Sequence, residues 1–321
     1  MSQSKEDFTI GVEEEYQIID PATRELRSRQ QQILPIAKKT LGDLVQPELQ
    51  LSQIETGTPV CRSLSEVRAE LIRLRRELIA AAAKDGNQIA AAATHPFSEW
   101  KQQQIAPKER YQGLLQDYQQ LAREAITFGC HVHVGISDPE MAIQVINRAR
   151  VWLAPLLALA ASSPFWFGTD TGYASYRTEM WGRMPISGPP LIFSSQAEYQ
   201  TVVEALIATG AVEEATKIYW DARLSERYPT VEFRVTDVCM TVDEAVMVAG
   251  LVRGLARTCY EHALADKPFP ATRHELIRAA HWRAARYGLD TELIDVEEKW
   301  AIPAGELVEK FLTFVRPSLE D

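Results

Sequence analysis

The sequence predicts an α+β fold with a curved, largely antiparallel sheet. Segments with apolar residues at every second position alternate with segments whose apolar residues follow the helical period. Some of the strand candidates follow one another as hairpin-like pairs, which favours antiparallel pairing over a doubly wound parallel sheet. Neither G-x-G-x-x-G nor G-x-x-x-x-G-K-[ST] occurs in the sequence, so we expect neither a Rossmann nor a P-loop nucleotide site. No linker-like tract divides the chain, and we expect a single domain spanning residues 1–321.

The first third of the chain predicts strands at residues 8–19, 48–56 and 88–94, and a short helix at residues 30–41. The first strand places apolar side chains on one face and ends in a turn at Asp20-Pro21. A capping box from Ser63 to Glu66 begins a long helix, for which Gly86 is the expected stop. The apolar residues of that helix recur at helical spacing: Val67, Leu71, Leu74 and Leu78.

The rest of the chain predicts two further long helices, which begin at clear caps. Asp138-Pro139 begins a helix to about residue 161, and a cap from Thr241 to Glu244 begins one to about residue 265. A long loop is expected at residues 164–195, and such loops are usually functional. The other expected helices are at residues 109–126, 197–209, 272–287 and 304–315, and the other strands are at residues 130–136, 217–224 and 230–237.

The composition indicates a globular protein with an acidic surface. The chain has 46% hydrophobic and 24% charged residues, and its formal net charge is −10. An acidic surface argues against a nucleic-acid partner and against an anionic membrane surface. The longest apolar stretch, residues 151–161, contains Pro155 and is too short to span a bilayer.

The termini and cysteines indicate a cytoplasmic location. Residues 1–8 have no apolar core, so we expect no secretory signal. The 4 cysteines show no C-x-x-C spacing, which indicates free thiols in a reducing compartment and argues against a cysteine-based zinc site.

Polar side chains share one face of several predicted strands. The side chains that alternation places opposite the apolar face are Glu13, Glu15, Glu55, His131, His133, Glu232, Arg234 and Thr236. We therefore expect a sheet whose apolar face packs under helices and whose concave face forms a site. Carboxylate oxygens with one or two imidazole nitrogens suit Mg²⁺ or Mn²⁺ better than Zn²⁺. An arginine beside them would hold a carboxylate or phosphate.

Each feature also has a simpler explanation. A His-x-His strand is often a surface or core feature, and Glu232 with Arg234 would also form a salt bridge worth about 0.2–1 kcal/mol. Glu55 would also face solvent beside a turn. Glu48 lies seven positions before Glu55 in the sequence, so strict alternation puts the two on opposite faces unless a bulge intervenes.

Two other features concern charged residues outside this face. Glu14 falls on the apolar face, so we expect it to pair with an arginine of a covering helix or to lie at the rim. Arg177 and Arg183 lie in the long loop and suit a lid over an anionic substrate, while Arg223 lies near the strand that carries Glu232. These arginines would otherwise pair with acids of the surface.

Four motifs in this order resemble those of the YbdK-type carboxylate–amine ligases, also called glutamate–cysteine ligase type 2. The likeness covers nearly the whole chain, and each motif alone is weak. The motifs are Gly11-Val12-Glu13-Glu14-Glu15-Tyr16, Ile54-Glu55-Thr56-Gly57-Thr58-Pro59, Gly129-Cys130-His131-Val132-His133-Val134-Gly135 and Glu232-Phe233-Arg234. Members of the family generally continue some tens of residues beyond the position of Asp321.

The resemblance implies the glutamine-synthetase and glutamate–cysteine-ligase fold, in which the sheet forms a funnel flanked by helices. It implies ATP and Mg²⁺, with Mn²⁺ as an alternative, and it suggests a homodimer. It places a phosphate-contacting arginine at Arg234 and puts Arg177 and Arg183 in the segment that holds the amino-acid carboxylate. From its position near the strand of Glu232, we expect Arg223 to be a further nucleotide contact. The implied metal ligands are Glu13, Glu15, Glu55, His131 and Glu232, with Glu48 as a further member.

These expectations predict an ATP-dependent ligase for small amino-acid and amine substrates. A carboxylate, the γ-carboxylate of glutamate, would attack ATP, and an amine such as that of cysteine would capture the acyl phosphate. Two other functions fit the same residues. One is a metal-dependent hydrolase, which would turn over without ATP, and the other is a non-catalytic protein that binds ATP or an amino acid.

Overall fold

The computed structural model describes residues 8–319 and contains the expected antiparallel sheet. The strands of the described chain are β1 Ile10–Ile19, β2 Val45–Pro47, β3 Gln53–Gly57, β4 Gln88–Ala90, β5 Gly129–Gly135, β6 Phe165–Trp166, β7 Thr169–Asp170, β8 Ser187–Gly188, β9 Tyr219–Trp220, β10 Ala222–Leu224, β11 Thr230–Asp237, β12 Glu292–Asp295 and β13 Trp300–Pro303. Seven of them form the sheet in the order β10-β11-β5-β1-β3-β2, with β4 also paired to β1. Every pairing in this sheet is antiparallel, and the sheet is open, so the predicted α+β class is confirmed.

The helices begin where the sequence supplies caps. The Ser63 side chain accepts a hydrogen bond from the Glu66 backbone N–H, and Thr241 with Glu244 forms a complete capping box. The helices of the described chain are α1 Gln30–Leu41, α2 Leu64–Lys84, α3 Glu109–Tyr118, α4 Gln120–Glu124, α5 Pro139–Ala149, α6 Leu153–Ala160, α7 Tyr176–Trp181, α8 Gln196–Ala208, α9 Val242–Leu264, α10 His274–Tyr287 and α11 Ala304–Leu319. None of them combines the length and apolar character that a bilayer crossing requires.

The apolar face of the sheet forms the core under α5, α6 and α9. Its side chains alternate with those of the polar face along each strand, as the period of a strand requires. The buried members on the central strands are Ile10, Val12, Val132, Val134, Val231, Phe233 and Val235. This packing fixes which face of the sheet is left to form a site.

Glu14 lies on the apolar face, as its position in β1 predicts. It is fully buried, and Arg75 of α2 binds both of its carboxylate oxygens, the closer at 2.5 Å. Tyr16 donates a further hydrogen bond to Glu14. An ion pair with a covering helix therefore satisfies this buried charge, which was one of the two expected outcomes.

Several predicted elements are divided in the structure. Only the second half of the predicted strand at residues 48–56 is confirmed, as β3. The chain turns after Pro47, so that Glu48 lies in the connection of a hairpin and not on the strand. The predicted helix at residues 109–126 breaks at Gln119, whose φ is +47°. The predicted helix after Pro139 is interrupted by a 3₁₀ turn at Arg150–Trp152, since Pro155 supplies no N–H to the preceding turn.

The remaining differences lie in the second half of the chain. The expected loop at residues 164–195 holds α7 and three short strands. The predicted strand at residues 217–224 is two strands, of which β10 pairs with β11 while β9 runs parallel to β8. The hairpin of β12 and β13 was not predicted. All 4 cysteines are buried and free.

Candidate active site

A cavity of about 840 Å³ lies over the polar face of the sheet. The polar residues of β1, β3, β5, β10 and β11 form its floor, because alternation turns them away from the core. Residues of α3 and α7 complete the wall. The nine predicted site residues that line the cavity are Glu13, Glu15, Glu48, Glu55, His131, Arg177, Arg223, Glu232 and Arg234.

The first group of ligand-like side chains, the imidazole cluster, consists of Glu13, His133 and Glu232. One ligand atom from each lies within 4.8 Å of the other two. Strand register brings them together, since Glu232 of β11 lies opposite His133 of β5. The His133 Nε2 atom is 3.3 Å from a Glu13 oxygen. Two carboxylates and an imidazole are a donor set that suits Mg²⁺ or Mn²⁺.

Cations of the protein surround the imidazole cluster. Arg223 donates to Glu232 at 2.8 Å, and Arg234 forms a second ion pair with the same carboxylate. Burial alone would raise the pKa of Glu232, but Arg234 and Arg223 hold it well below its ordinary value. Burial is likewise outweighed at Glu13, whose pKa is lowered by its contacts with His131 and His133. Both carboxylates are therefore ionised.

The second group, the carboxylate cluster, consists of Glu15, Glu48 and Glu55. One oxygen from each again lies within 4.8 Å of the other two. Glu15 lies opposite Glu55 in the β1–β3 register, and the hairpin connection brings Glu48 to them. The hydrogen-bond donors to this group are backbone N–H groups: Gly129 to Glu15 at 2.6 Å and Leu49 to Glu48 at 3.0 Å.

In the carboxylate cluster the pKa values of the acids are raised, whereas those in the imidazole cluster are lowered. Burial and the charge of Glu48 raise the pKa of Glu15 to about 7. Burial also raises the pKa of Glu48. Burial and then the three neighbouring acids raise the pKa of Glu55 well above its ordinary value. An oxygen-rich group short of positive charge fits a hard divalent cation, and Glu48 is part of it.

His131 lies beside the imidazole cluster. Its Nδ1 atom is 3.4 Å from Glu13 and 3.4 Å from an Arg234 nitrogen, while its Nε2 atom is buried without a hydrogen-bond partner. Burial and Arg234 lower the pKa of His131 to about 4, so its imidazole is neutral at pH 7. His133 was not among the predicted ligands, although alternation placed both imidazoles on one face.

The predicted arginines divide into two groups. Arg177 is buried and lines the cavity, and Arg223 and Arg234 lie beside Glu232. Arg183 does not line the cavity; its guanidinium pairs with Glu124 at 2.5 Å, and its side chain is 40% exposed. The second loop arginine therefore matches the alternative expectation, a pairing with a surface acid.

Sequence reasoning missed several residues of the site. Arg110, Tyr111 and Tyr219 line the cavity but follow no strand pattern on its polar face.

Asp237 ends β11 and lies behind Arg177, with which it forms an ion pair at 3.8 Å. Strict alternation along β11 would place Asp237 on the apolar face, and an acid at such a position was the available signal, as it was for Glu14. A bulge between Phe233 and Thr236 instead pairs Asp237 with Gly129, on the face of β5 that carries His131, and pairs Thr236 with Cys130 on the other face, contrary to the expectation for Thr236.

The polar face of this antiparallel sheet thus carries two groups of side chains that could hold metal ions, together with arginines that could bind anionic groups. The chain is similar in structure to a glutamate–cysteine ligase from Francisella tularensis, solved in complex with AMP, with a TM-score of 0.71 and 14% identity over 98% of this chain and 78% of that one. It is also similar to a bifunctional glutathione synthetase from Pasteurella multocida, with a TM-score of 0.68 and 15% identity over 98% of this chain and 46% of that one. These likenesses show the fold.

Sequence comparison identifies the family. The model of glutamate–cysteine ligase family 2 matches residues 9–320. A relative from Rhodopirellula baltica, provisionally named glutamate–cysteine ligase 2, is 42% identical over 317 residues, which are 97% of this chain and 85% of the relative. A relative of the same name from Herpetosiphon aurantiacus is 43% identical over 314 residues, 98% of this chain and 82% of the relative. The chain belongs to glutamate–cysteine ligase family 2 and is an enzyme of the ligase class.

Proposed function

We propose that this chain forms an amide bond between the γ-carboxylate of glutamate and an amine, that of cysteine or another small molecule, at the expense of ATP. The observation that carries the proposal is the meeting of two acid-rich clusters in one cavity with Arg177, Arg223 and Arg234. Such a cavity can accept several anionic groups at once. The provisional names of the relatives and the AMP held by the Francisella enzyme support a ligase that uses ATP.

The donor atoms fit Mg²⁺, with Mn²⁺ as an alternative. The imidazole cluster and the carboxylate cluster would each hold a cation, and His131 lies within reach of Glu13. Bound Mg²⁺ would neutralise phosphate oxygens, so that an anionic nucleophile could approach them.

The side chains of the chain bind and orient the reactants. In the proposal Arg177 holds the α-carboxylate of the amino acid, and Arg234 and Arg223 contact phosphate oxygens. The γ-carboxylate of glutamate attacks the γ-phosphorus of ATP, which gives an acyl phosphate and ADP. The amine then attacks the acyl carbon, phosphate leaves, and the amine nitrogen loses a proton. The partly enclosed cavity limits access of competing water.

The test is ADP release with glutamate and a panel of amines, in wild type and in Glu13→Gln. The wild type should release ADP only when both a carboxylate and an amine are present, and Glu13→Gln should be nearly inactive. Glu204→Gln, an exposed acid of α8 outside the cavity, is the matched control and should behave as wild type. Equal ADP release by both site and control variants would contradict the metal assignment. Turnover of an amide without nucleotide would instead indicate a hydrolase.

We further propose that residues 1–321 act as one catalytic domain, that the enzyme works in the cytoplasm and that it is a homodimer. Buried free thiols at all 4 cysteines suit a reducing compartment. The homodimer rests on the family resemblance. Light scattering should give twice the chain mass of 36.1 kDa, and a monomer mass at micromolar concentration would contradict it.

A further inference from the structure

The carboxylate of Asp237 ties the segment before α7 to the end of β11. Asp237 is fully buried. It accepts hydrogen bonds from the Ser162 backbone N–H at 2.9 Å, the Ser163 hydroxyl at 2.8 Å and the Ser175 hydroxyl at 2.8 Å. The Ser163 oxygen in turn accepts a hydrogen bond from the Arg177 backbone N–H at 3.1 Å. The backbone that carries Arg177 is thus held through this carboxylate.

The Arg177 guanidinium is held by the same carboxylate. Its Nη1 atom lies 3.8 Å from an Asp237 oxygen, and its Nη2 atom donates to the Arg234 backbone carbonyl at 3.3 Å. Both contacts are long, and a guanidinium has five N–H donors, so donors are left for a ligand in the cavity that Arg177 lines. Burial raises the pKa of the Asp237 carboxyl, and Arg177 is the foremost influence that lowers it.

Gly129 leaves the space that the guanidinium occupies. A Cβ atom on residue 129 would lie 2.9 Å from the His131 Nε2 atom and closer still to the Arg177 Nη2 atom. The Gly129 backbone N–H also donates to Glu15 of the carboxylate cluster at 2.6 Å. The slot for the guanidinium is therefore bounded by Gly129, the Arg234 carbonyl and Asp237, and it opens beside that cluster.

We propose that Asp237 is a positioning residue that orients Arg177 for the carboxylate of the amino-acid substrate. The inference rests on the proposed function, which gives Arg177 that carboxylate. Asp237 itself does not line the cavity, so it would act through Arg177. A misplacement of a binding group by about 1 Å can cost on the order of 10²-fold in rate, which makes such a residue measurable.

Asp237→Asn keeps the shape of the side chain and removes its charge. We expect the KM for the amino-acid substrate to rise about 10- to 100-fold, while the KM for ATP changes less than about 3-fold. Asp295→Asn is the matched control: Asp295 is also buried, accepts two backbone hydrogen bonds and pairs with Lys310, but lies outside the cavity. That variant should lose stability without a change in either KM.

A double variant separates positioning from a merely structural role. If Asp237 acts through Arg177, Asp237→Asn should add little to the loss already caused by Arg177→Met, because the two residues form one unit. Fully additive losses in kcat/KM would overturn the proposal. Should Asp237→Asn not fold, Ser163→Ala removes one link of the same network and should raise the same KM by a smaller factor; an unchanged KM would also overturn it.

A second measurement does not depend on turnover. The ¹⁵N–¹H signal of the Arg177 Nε–H group, assigned by its loss in Arg177→Lys, reports the order of the guanidinium. We expect it to shift and broaden in Asp237→Asn and to stay unchanged in Asp295→Asn. An unchanged signal in Asp237→Asn would overturn the proposal. If the wild type shows no ATP-dependent turnover with any amine, the proposed function fails, and this signal still decides whether Asp237 holds Arg177.

Discussion

The imidazole cluster and the carboxylate cluster share one face of one sheet but have opposite electrostatic characters. In the imidazole cluster, Arg223 and Arg234 pair with Glu232, and the pKa values of both carboxylates are lowered. In the carboxylate cluster, Glu15 and Glu55 lie opposite each other, and their pKa values are raised. The protein thus supplies positive charge to one cluster, whereas the other depends on charge from a ligand.

The contrast arises from strand neighbours. Glu13 and Glu15 lie two residues apart on β1 and point to the same face. Glu13 lies opposite His131 of β5, whereas Glu15 lies opposite Glu55 of β3. Two glutamates on the same face of one strand therefore have different neighbours, and the order of the strands in the sheet determines the environment of each.

The largest expected effect is a loss of ATP turnover, and it should be similar for a variant in either cluster. Glu55→Gln and Glu232→Gln should each lower ATP turnover about 10²- to 10⁴-fold, because each removes a ligand for a cation worth several kcal/mol to phosphoryl transfer. Steady-state ADP release at saturating Mg²⁺ measures it. Retention of more than a tenth of the activity by either variant would contradict the role of that cluster.

The second prediction separates the clusters by stability without metal. Glu232→Gln leaves Arg223 and Arg234 buried without their carboxylate, and should destabilise the fold by about 3–5 kcal/mol. Glu55→Gln removes a carboxyl whose ionisation is opposed by burial and by the neighbouring acids, and should stabilise the fold by about 1 kcal/mol. Urea unfolding in EDTA measures both changes. A change in the free energy of unfolding with the same sign in both variants would contradict the electrostatic difference between the two clusters.

The third prediction is a pH dependence of the metal-free protein. Because the pKa of Glu15 is raised to about 7, the folded state holds that proton more tightly, and the stability it contributes is lost as the pH rises towards 7. Glu13 and Glu232 have lowered pKa values and titrate below this range. The free energy of unfolding in EDTA should fall between about pH 4.5, the ordinary pKa of a glutamate, and pH 7, by at most about 1.4 kcal/mol per pH unit for each proton, and should level off above pH 7 as far as Glu15 is concerned.

Glu15→Gln sharpens this prediction as its control. The variant should show a shallower fall over the same range, since one of the titrating carboxylates is gone. Addition of Mg²⁺ to the wild type should abolish the fall, because a cation favours the ionised acids. A fall of the same slope in all three samples would assign the pH dependence to other groups.

The smallest effect is expected at Arg183. Its partly exposed pair with Glu124 should contribute about 0–1 kcal/mol, and it does not line the cavity. Arg183→Ala should therefore change each KM less than about 2-fold, whereas Arg177→Ala should raise the KM for the amino-acid substrate strongly. A comparable rise of this KM in both variants would show that Arg183 also binds the substrate.

The sequence predicts the floor of the site well because alternation along a strand is a local rule. Glu13, Glu15, Glu232 and Arg234 face the cavity as their positions in β1 and β11 require. The electrostatic contrast could not be predicted, since it depends on which strand lies next to Glu13 and Glu15, and strand order is not local.

Turns and loops mark the limit of sequence reasoning here. Glu48 was expected on a strand with Glu55, but the hairpin turn after Pro47 removes it from alternation and brings it to Glu15. The loop arginines were indistinguishable by sequence, because the contact of Arg177 with Asp237 depends on the packing of α7 against β11.

Calorimetric titration of the metal-free enzyme with MnCl₂, in the presence of a non-hydrolysable ATP analogue, tests the central claim most directly. The wild type should bind at least two Mn²⁺ ions per chain; Glu55→Gln should lose one ion and Glu232→Gln a different one, so that the double variant loses both. Binding of the same number of ions by all four proteins would contradict the existence of two metal sites on this sheet.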